Sequence, residues 1–296
     1  MDRVRKEVHY DCIDTIEKNY AGQNVGVAIL DTGLFPHPDF SGRVVAFKDC
    51  VNGRRRIYDD NGHGTHVAGI LAGDGRMSKG LLVGMAPMAR LVIVKVLNEK
   101  GDGDIRQLLE GVRWIKKYYR RFGIRIVNIS VGAKAGINRQ KEEWLMEVVE
   151  QLWDMGIVVV VSAGNYGPQK GTVTIPGTSR KVITVGAVKG GKETGCSGRG
   201  PTGECVVKPD VVAPGYQIIS CSRATKSSKA PYTIKSGTSM ATPVVSGAIA
   251  VLLSKYPHMS NVEIKLKLRE TCRRIEEEGM GWGMLQVDKL IGDGVN

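Results

Sequence analysis

Residues 25–33 read Val-Gly-Val-Ala-Ile-Leu-Asp-Thr-Gly. A short apolar run that ends on an acid and a glycine is the pattern of a strand buried on both faces. The same pattern recurs in Arg90 to Leu97, Arg125 to Ser130, Ile157 to Ser162 and Val182 to Val188, each closing near Gly, Asp, Ser or Asn. Between these runs the spacing turns helical. Asp104 to Phe122 sets Ile105, Leu108, Leu109, Val112 and Ile115 at helical intervals, with basic residues towards its C-terminal end. Arg139 to Met155 does the same, Val244 to Lys255 is apolar on nearly all sides, and Asn261 to Arg274 is amphipathic. Strands alternating with helices predict an α/β fold, a mostly parallel central sheet with helices on both faces, three layers deep.

The chain has 296 residues, 42% of them hydrophobic and 24% charged, which excludes disorder for most of its length. No Pro/Gly/Ser-rich linker divides it, so one domain over 24–296 is expected, after an N-terminal extension over 1–23. That extension either packs on the domain or lies across its cleft as a removable inhibitor. With 42 Lys and Arg against 30 Asp and Glu, the net charge is +12. The basic clusters at Arg54 to Arg56, Lys116 to Arg121 and Arg269 to Arg274 share no stripe and no stacking aromatics. They predict a solvated surface and no nucleic-acid partner. The longest apolar stretches, 156–164 and 244–253, hold about ten residues, short of the roughly 18 to 20 needed to cross a bilayer, so no membrane partner is expected. The first twenty residues are charged throughout and lack the apolar segment of a secretory signal. The six Cys show no C-x-x-C pair and no zinc spacing. A cytoplasmic protein with mostly reduced thiols is expected, and the oligomeric state is not legible.

In open parallel sheets, functional groups collect beyond the carboxyl ends of the strands. Asp31, Gly132, Asn165 and the Gly101 to Gly103 loop fall there. Three polar segments are enclosed by small residues: Asp31-Thr32-Gly33, Asn61-Gly62-His63-Gly64-Thr65-His66-Val67-Ala68-Gly69 and Ser236-Gly237-Thr238-Ser239-Met240-Ala241-Thr242-Pro243. Alone, the first is a turn and the last a helix cap. Together they supply an acid, an imidazole and a hydroxyl. A serine hydroxyl is a poor nucleophile until a base takes its proton and a carboxylate orients that base. His63 and His66 share a helix face, but without a third ligand the pair does not make a metal site, and His66, followed by Val67 and Ala68, is expected to pack inward.

At this point the sequence resembles the subtilisin-family serine proteases, most closely their intracellular bacterial branch. The signatures read VAILDTG, NGHGTHVAG, VGMAP, NIS-VG, VVVVSAGN, RGPTG, KPDVVAPG and SGTSMATP, in order, over about 24–253. A closing segment from Gly281 resembles the family's last turn and helix. The resemblance implies a serine endopeptidase in which Asp31 orients, His63 is the general base and then acid, and Ser239 is the nucleophile. It also implies that Asn165 donates to the oxyanion beside the Ser239 backbone N–H. Polypeptide substrate is then expected to lie extended between Gly101, Asp102 and Gly103 on one side and Ser130, Val131 and Gly132 on the other. Glu99, Asp102 and Asp104 predict some preference for basic residues N-terminal to the cut.

No cofactor is expected to be required. The family's strong calcium site uses the Asp of a His-Pro-Asp segment, here His37-Pro38-Asp39, with a loop that here reads GDGRMSKGL (73–81), basic rather than Asn-rich. That departure argues against bound calcium. A second departure is Val244 after Pro243, where the family often has His. Two alternatives remain: a catalytically silent peptide-binding module on the same scaffold, and a nucleotide-binding protein. The latter would need G-x-G-x-x-G directly after a strand, where this chain has Asp31-Thr32-Gly33.

Overall fold

The first strand, β1 (Gly26–Asp31), is buried along its whole length and takes a parallel partner on each side. A computed structural model describes residues 1–133, 139–193, 195–223 and 230–292. In chain order its elements begin with α1 (Asp2–Glu7), α2 (Cys12–Glu17), β1, β2 (Val44–Asp49), α3 (His63–Ala72), β3 (Arg90–Lys95), α4 (Ile105–Phe122), β4 (Ile124–Ile129), α5 (Arg139–Asp154) and β5 (Val158–Ser162). They continue with β6 (Ile183–Lys189), β7 (Lys192–Glu193), β8 (Val211–Pro214), β9 (Ile218–Cys221), β10 (Tyr232–Lys235), α6 (Thr238–Lys255), α7 (Asn261–Thr271) and α8 (Val287–Ile291).

The parallel order is β2-β3-β1-β4-β5-β6-β8, with β7 antiparallel to β6 at the end of that strand. Helices α3 and α6 pack on one another and on the sheet, and α4 and α5 pair in the same way, which gives the expected three layers. Each predicted strand forms within two residues of its expected ends. Three edge or late strands, β2, β9 and β10, carry exposed or half-buried positions and lack the continuous apolar run.

Helix α6 is long and apolar enough by composition to cross a membrane, but 83% of that window is buried inside the protein, against β4, β5, β6 and α3. Helix α4 starts on a capping box, with Asp104 accepting from the Arg106 amide and Gln107 reaching back to the Asp104 amide. Gly123 ends it in the left-handed region.

The N-terminal residues pack on the body. Val4, Val8 and Tyr10 are buried, the Tyr10 hydroxyl donates to the Met85 carbonyl at 2.8 Å, Arg5 to the Val83 carbonyl at 2.8 Å, and the Val287 amide to the Val8 carbonyl at 2.8 Å. Among the described residues none of these bonds reaches Asp31, His63 or Ser239. The four residues 293–296 of the expected domain lie outside the described residues.

Candidate active site

Asp31 is the last residue of β1 and is buried. The chain then turns at Gly33, whose φ of +114° and whose closeness to the Tyr58 carbonyl, 2.1 Å from where a Cβ would stand, admit only glycine. His63 is the first residue of α3, entered through Gly62 at φ +98°. Gly64 brings the two segments together: a Cβ there would stand 2.3 Å from the Gly33 carbonyl and 3.2 Å from the Asp31 carboxylate. The outcome is a forked contact, with His63 Nδ1 at 2.8 Å from Asp31 Oδ1 and 2.9 Å from Oδ2. Nδ1 therefore carries the proton and Nε2 the lone pair. Burial pushes the His63 pKa down, but the charge and hydrogen bond of Asp31 more than offset it, and the net displacement is upward.

Asp59 holds this arrangement together and was not singled out from the sequence. Its carboxylate accepts from the Thr32 hydroxyl (2.9 Å), the Gly62 amide (2.7 Å), and the Thr65 hydroxyl (2.6 Å) and amide (3.0 Å). Burial would raise its pKa, yet these bonds hold it below the usual carboxylate value. An acid shortly before a helix start is a capping signal that would have found it. Lys95, at the end of β3, was also missed. Fully buried, its ammonium donates at 2.7 Å to each of the Thr32 carbonyl, the Leu97 carbonyl and Asp60 Oδ1. A lysine inside an otherwise apolar run was the available signal.

His66 packs inward as expected, fully buried, with Nε2 near the Ile218 and Thr233 carbonyls at 3.1 and 3.2 Å. Burial drives its pKa down to about 3, so it stays neutral.

Ser239 is the second residue of α6, after Gly237 at φ +136°. Among the described residues its hydroxyl donates to the Ser130 carbonyl at 2.7 Å rather than to His63. Asn165 lies three residues beyond β5. Its carboxamide oxygen accepts from the Thr238 amide (3.0 Å) and hydroxyl (3.1 Å), which orients the NH₂ group away from α6's first residue. An anion placed between that NH₂ and the Ser239 amide would also lie at a helix N-terminus, where negative charge is favoured.

The two expected rims are anchored differently. Gly101 sits at φ +86° in a tight loop closed by Asn98, and Asn61 donates to the Glu99 carbonyl at 3.1 Å, tying that loop to the His63 segment. Asp102 and Gly103 are exposed. Asp104 is not a rim acid. It caps α4 and pairs with Arg106 at 3.1 Å, and the Arg106 guanidinium holds its pKa down at about 2. On the other side Ser130 is buried, Val131 half-buried and Gly132 exposed, and a Cβ on Gly132 would stand 2.4 Å from the Thr174 hydroxyl.

The residues around Asp39 do not fit calcium, which takes six to eight oxygen ligands. The Asp39 carboxylate accepts from the Met77 amide (2.9 Å) and the Tyr232 hydroxyl (2.7 Å), and the Arg43 guanidinium donates to the Asp39 and Ala72 carbonyls beside Asp74. Among the described residues the groups beside that carboxylate are an imidazole, a thiol and hydrogen-bond donors, not the further oxygen ligands that calcium needs.

Residues 22–288 match the sequence profile of the subtilase family, Peptidase S8. The chain is 41% identical to serine protease AprX of Bacillus subtilis (strain 168) over 278 residues, covering 87% of this chain and 63% of that protein. It is 35% identical to subtilisin DY of Bacillus licheniformis, with 92% of each covered. Among solved structures, the crystal structure of a cold adapted subtilisin-like serine proteinase superimposes with a TM-score of 0.75 at 28% identity, over 91% of this chain and 90% of that one. A profile match over nearly the whole length and a shared fold agree: the chain belongs to the subtilase family of serine endopeptidases.

Proposed function

We propose that this chain hydrolyses peptide bonds with Ser239 as nucleophile, His63 as general base and then acid, Asp31 as its orienting partner, and Asn165 as an oxyanion donor. The forked contact of Asp31 with His63 Nδ1 carries the reading, because it presents Nε2 as a proton acceptor. Catalytic hydrogen bonds often tighten only when substrate is bound. Here the Ser239 hydroxyl leaves the Ser130 carbonyl as a substrate backbone N–H takes its place, and turns to His63 Nε2. As the Oγ–carbon bond forms, the hydroxyl proton passes to Nε2, and the carbonyl oxygen becomes an anion held by the Asn165 NH₂ and the Ser239 amide. Asp31 stabilises the imidazolium, which then protonates the leaving amine. Water repeats the sequence on the acyl-enzyme. No step needs a metal or cofactor.

The substrate is a polypeptide held extended between Gly101–Asp102–Gly103 and Ser130–Val131–Gly132. Glu99 and Asp102 favour basic residues N-terminal to the cut, whereas Asp104 is spent on α4.

The test is the intact mass after exposure to a serine-directed fluorophosphonate. A single adduct on the wild type and none on Ser239→Ala is expected. A folded wild-type protein that takes no adduct would overturn the reading in favour of a silent peptide-binding module.

A further inference from the structure

Three buried side chains of different chemistry meet beneath the turn that follows β1. His37 Nδ1, an Asp39 carboxylate oxygen and Cys221 Sγ all lie within 4.8 Å of one another. We propose that His37, Asp39 and Cys221 form a binding site for a borderline-soft divalent cation, with zinc as the best fit.

The spacing is within reach of a small tetrahedral ion: Cys221 Sγ is 3.6 Å from Asp39 Oδ2, His37 Nδ1 is 3.6 Å from the other oxygen, Oδ1, and the three ligand atoms all lie within 4.8 Å. Zinc bonds of about 2.0 Å to nitrogen and oxygen and about 2.3 Å to sulfur place neighbouring tetrahedral ligands roughly 3.3 to 3.8 Å apart. The imidazole is already set for the task. His37 Nε2 lies 2.9 Å from the Pro231 carbonyl and donates to it, so Nδ1 carries the lone pair; it accepts from the Asp39 amide at 3.2 Å, a long bond that an ion would replace. A ligating histidine characteristically gives its other N–H to a carbonyl or carboxylate. The carboxylate is braced as well, by the Tyr232 hydroxyl and the Met77 amide. The Tyr232 hydroxyl, 2.7 Å from Asp39 Oδ2, is too close to be a second ligand and stays the carboxylate's donor, so water fills the fourth position.

Charge and donor type select the ion. Binding releases one proton, from the Cys221 thiol, and the resulting thiolate and carboxylate offset a doubly charged cation around a neutral imidazole, while the nearby Arg43 guanidinium is paired with Asp74. One sulfur, one nitrogen and one carboxylate suit zinc and reject calcium and magnesium, which want oxygen. Access is short, because His37 also lines an open surface cavity of about 450 Å³ with Leu34, Pro36 and Phe40. An ion here would clamp the 37–39 turn to hairpin β9–β10, from which Ile218 and Thr233 hold His66 of α3.

The test is a cobalt(II) titration of reduced, chelator-treated Ser239→Ala protein, a background that prevents self-digestion and makes the result independent of the proposed catalysis. The expected result is one cobalt per chain, a near-ultraviolet thiolate-to-cobalt charge-transfer band, and displacement by zinc. Cys221→Ser should abolish the band, His37→Gln should weaken binding by more than about tenfold, and Cys50→Ser should leave both unchanged. Absence of the band in the folded parent overturns the proposal whatever the variants do. So does a band that survives unchanged in Cys221→Ser or in His37→Gln.

Discussion

The Ser239 hydroxyl donates to the Ser130 carbonyl at 2.7 Å, so the proposed nucleophile is held by a backbone group of the proposed substrate rim. If substrate releases it, a peptide whose amide at that position is N-methylated cannot take over the Ser130 carbonyl. Such a peptide should lose turnover as well as affinity relative to its unmethylated parent. Steady-state kinetics on the matched pair check this, and equal kcat for both would contradict it.

The acid limb of the rate profile follows from His63. The base must be neutral to act, and Asp31 favours its protonated form, so its pKa stands above the ordinary value of 6.5. Activity should therefore be low in acid and rise with pH through that raised pKa. In Asp31→Asn the limb should move to lower pH, and turnover should fall by about 10⁴. A profile of kcat/KM against pH for the two proteins decides the sign.

Asn165→Ala removes the NH₂ donor and leaves the base pair untouched. Turnover should fall by about 10²–10³, a loss measured for this type of donor within the same family, with KM nearly constant. A change confined to KM would assign Asn165 to substrate binding instead.

Gly64→Ala tests the packing that joins Asp31 to His63. The new Cβ would stand 2.3 Å from the Gly33 carbonyl, so the turn or α3 must shift. A displacement near 1 Å costs about 10²-fold in rate. The fluorophosphonate labelling rate should drop accordingly while the protein remains folded by circular dichroism.

Lys95→Met removes the ammonium that ties Thr32, Leu97 and Asp60 together. Leaving two carbonyls and a partly exposed carboxylate without their donor should cost about 3 kcal/mol of stability. Denaturant unfolding of the variant in the Ser239→Ala background measures it, and a cost under about 0.5 kcal/mol would show that water replaces the ammonium freely.

The strands that position the site were legible because burial on both faces writes an unbroken apolar run, as in Val158 to Ser162. Strand β2 was not, since Val44 to Asp49 is half-exposed and includes Lys48 and Asp49. Asp31, His63, Asn165 and Ser239 stood out because small residues surround them. Asp59 and Lys95 did not, because their partners lie on other segments and only the folded chain shows them. Asp104 was read twice, as the first residue of a helical pattern and as an acid beside the substrate, and the capping box commits it to the helix.

The sheet order has a bearing on synthesis. Strand β1 leaves the ribosome before both of the strands that flank it, β3 and β4. The acid and base span 32 positions of chain, whereas Ser239 meets Ser130 across 109. A growing polypeptide thus holds a proton acceptor long before it has a hydroxyl to activate, and domains tend to complete their folding as units. With Ser239 as the proposed nucleophile, nascent copies are inert towards their neighbours until that residue has been added and its helix has docked.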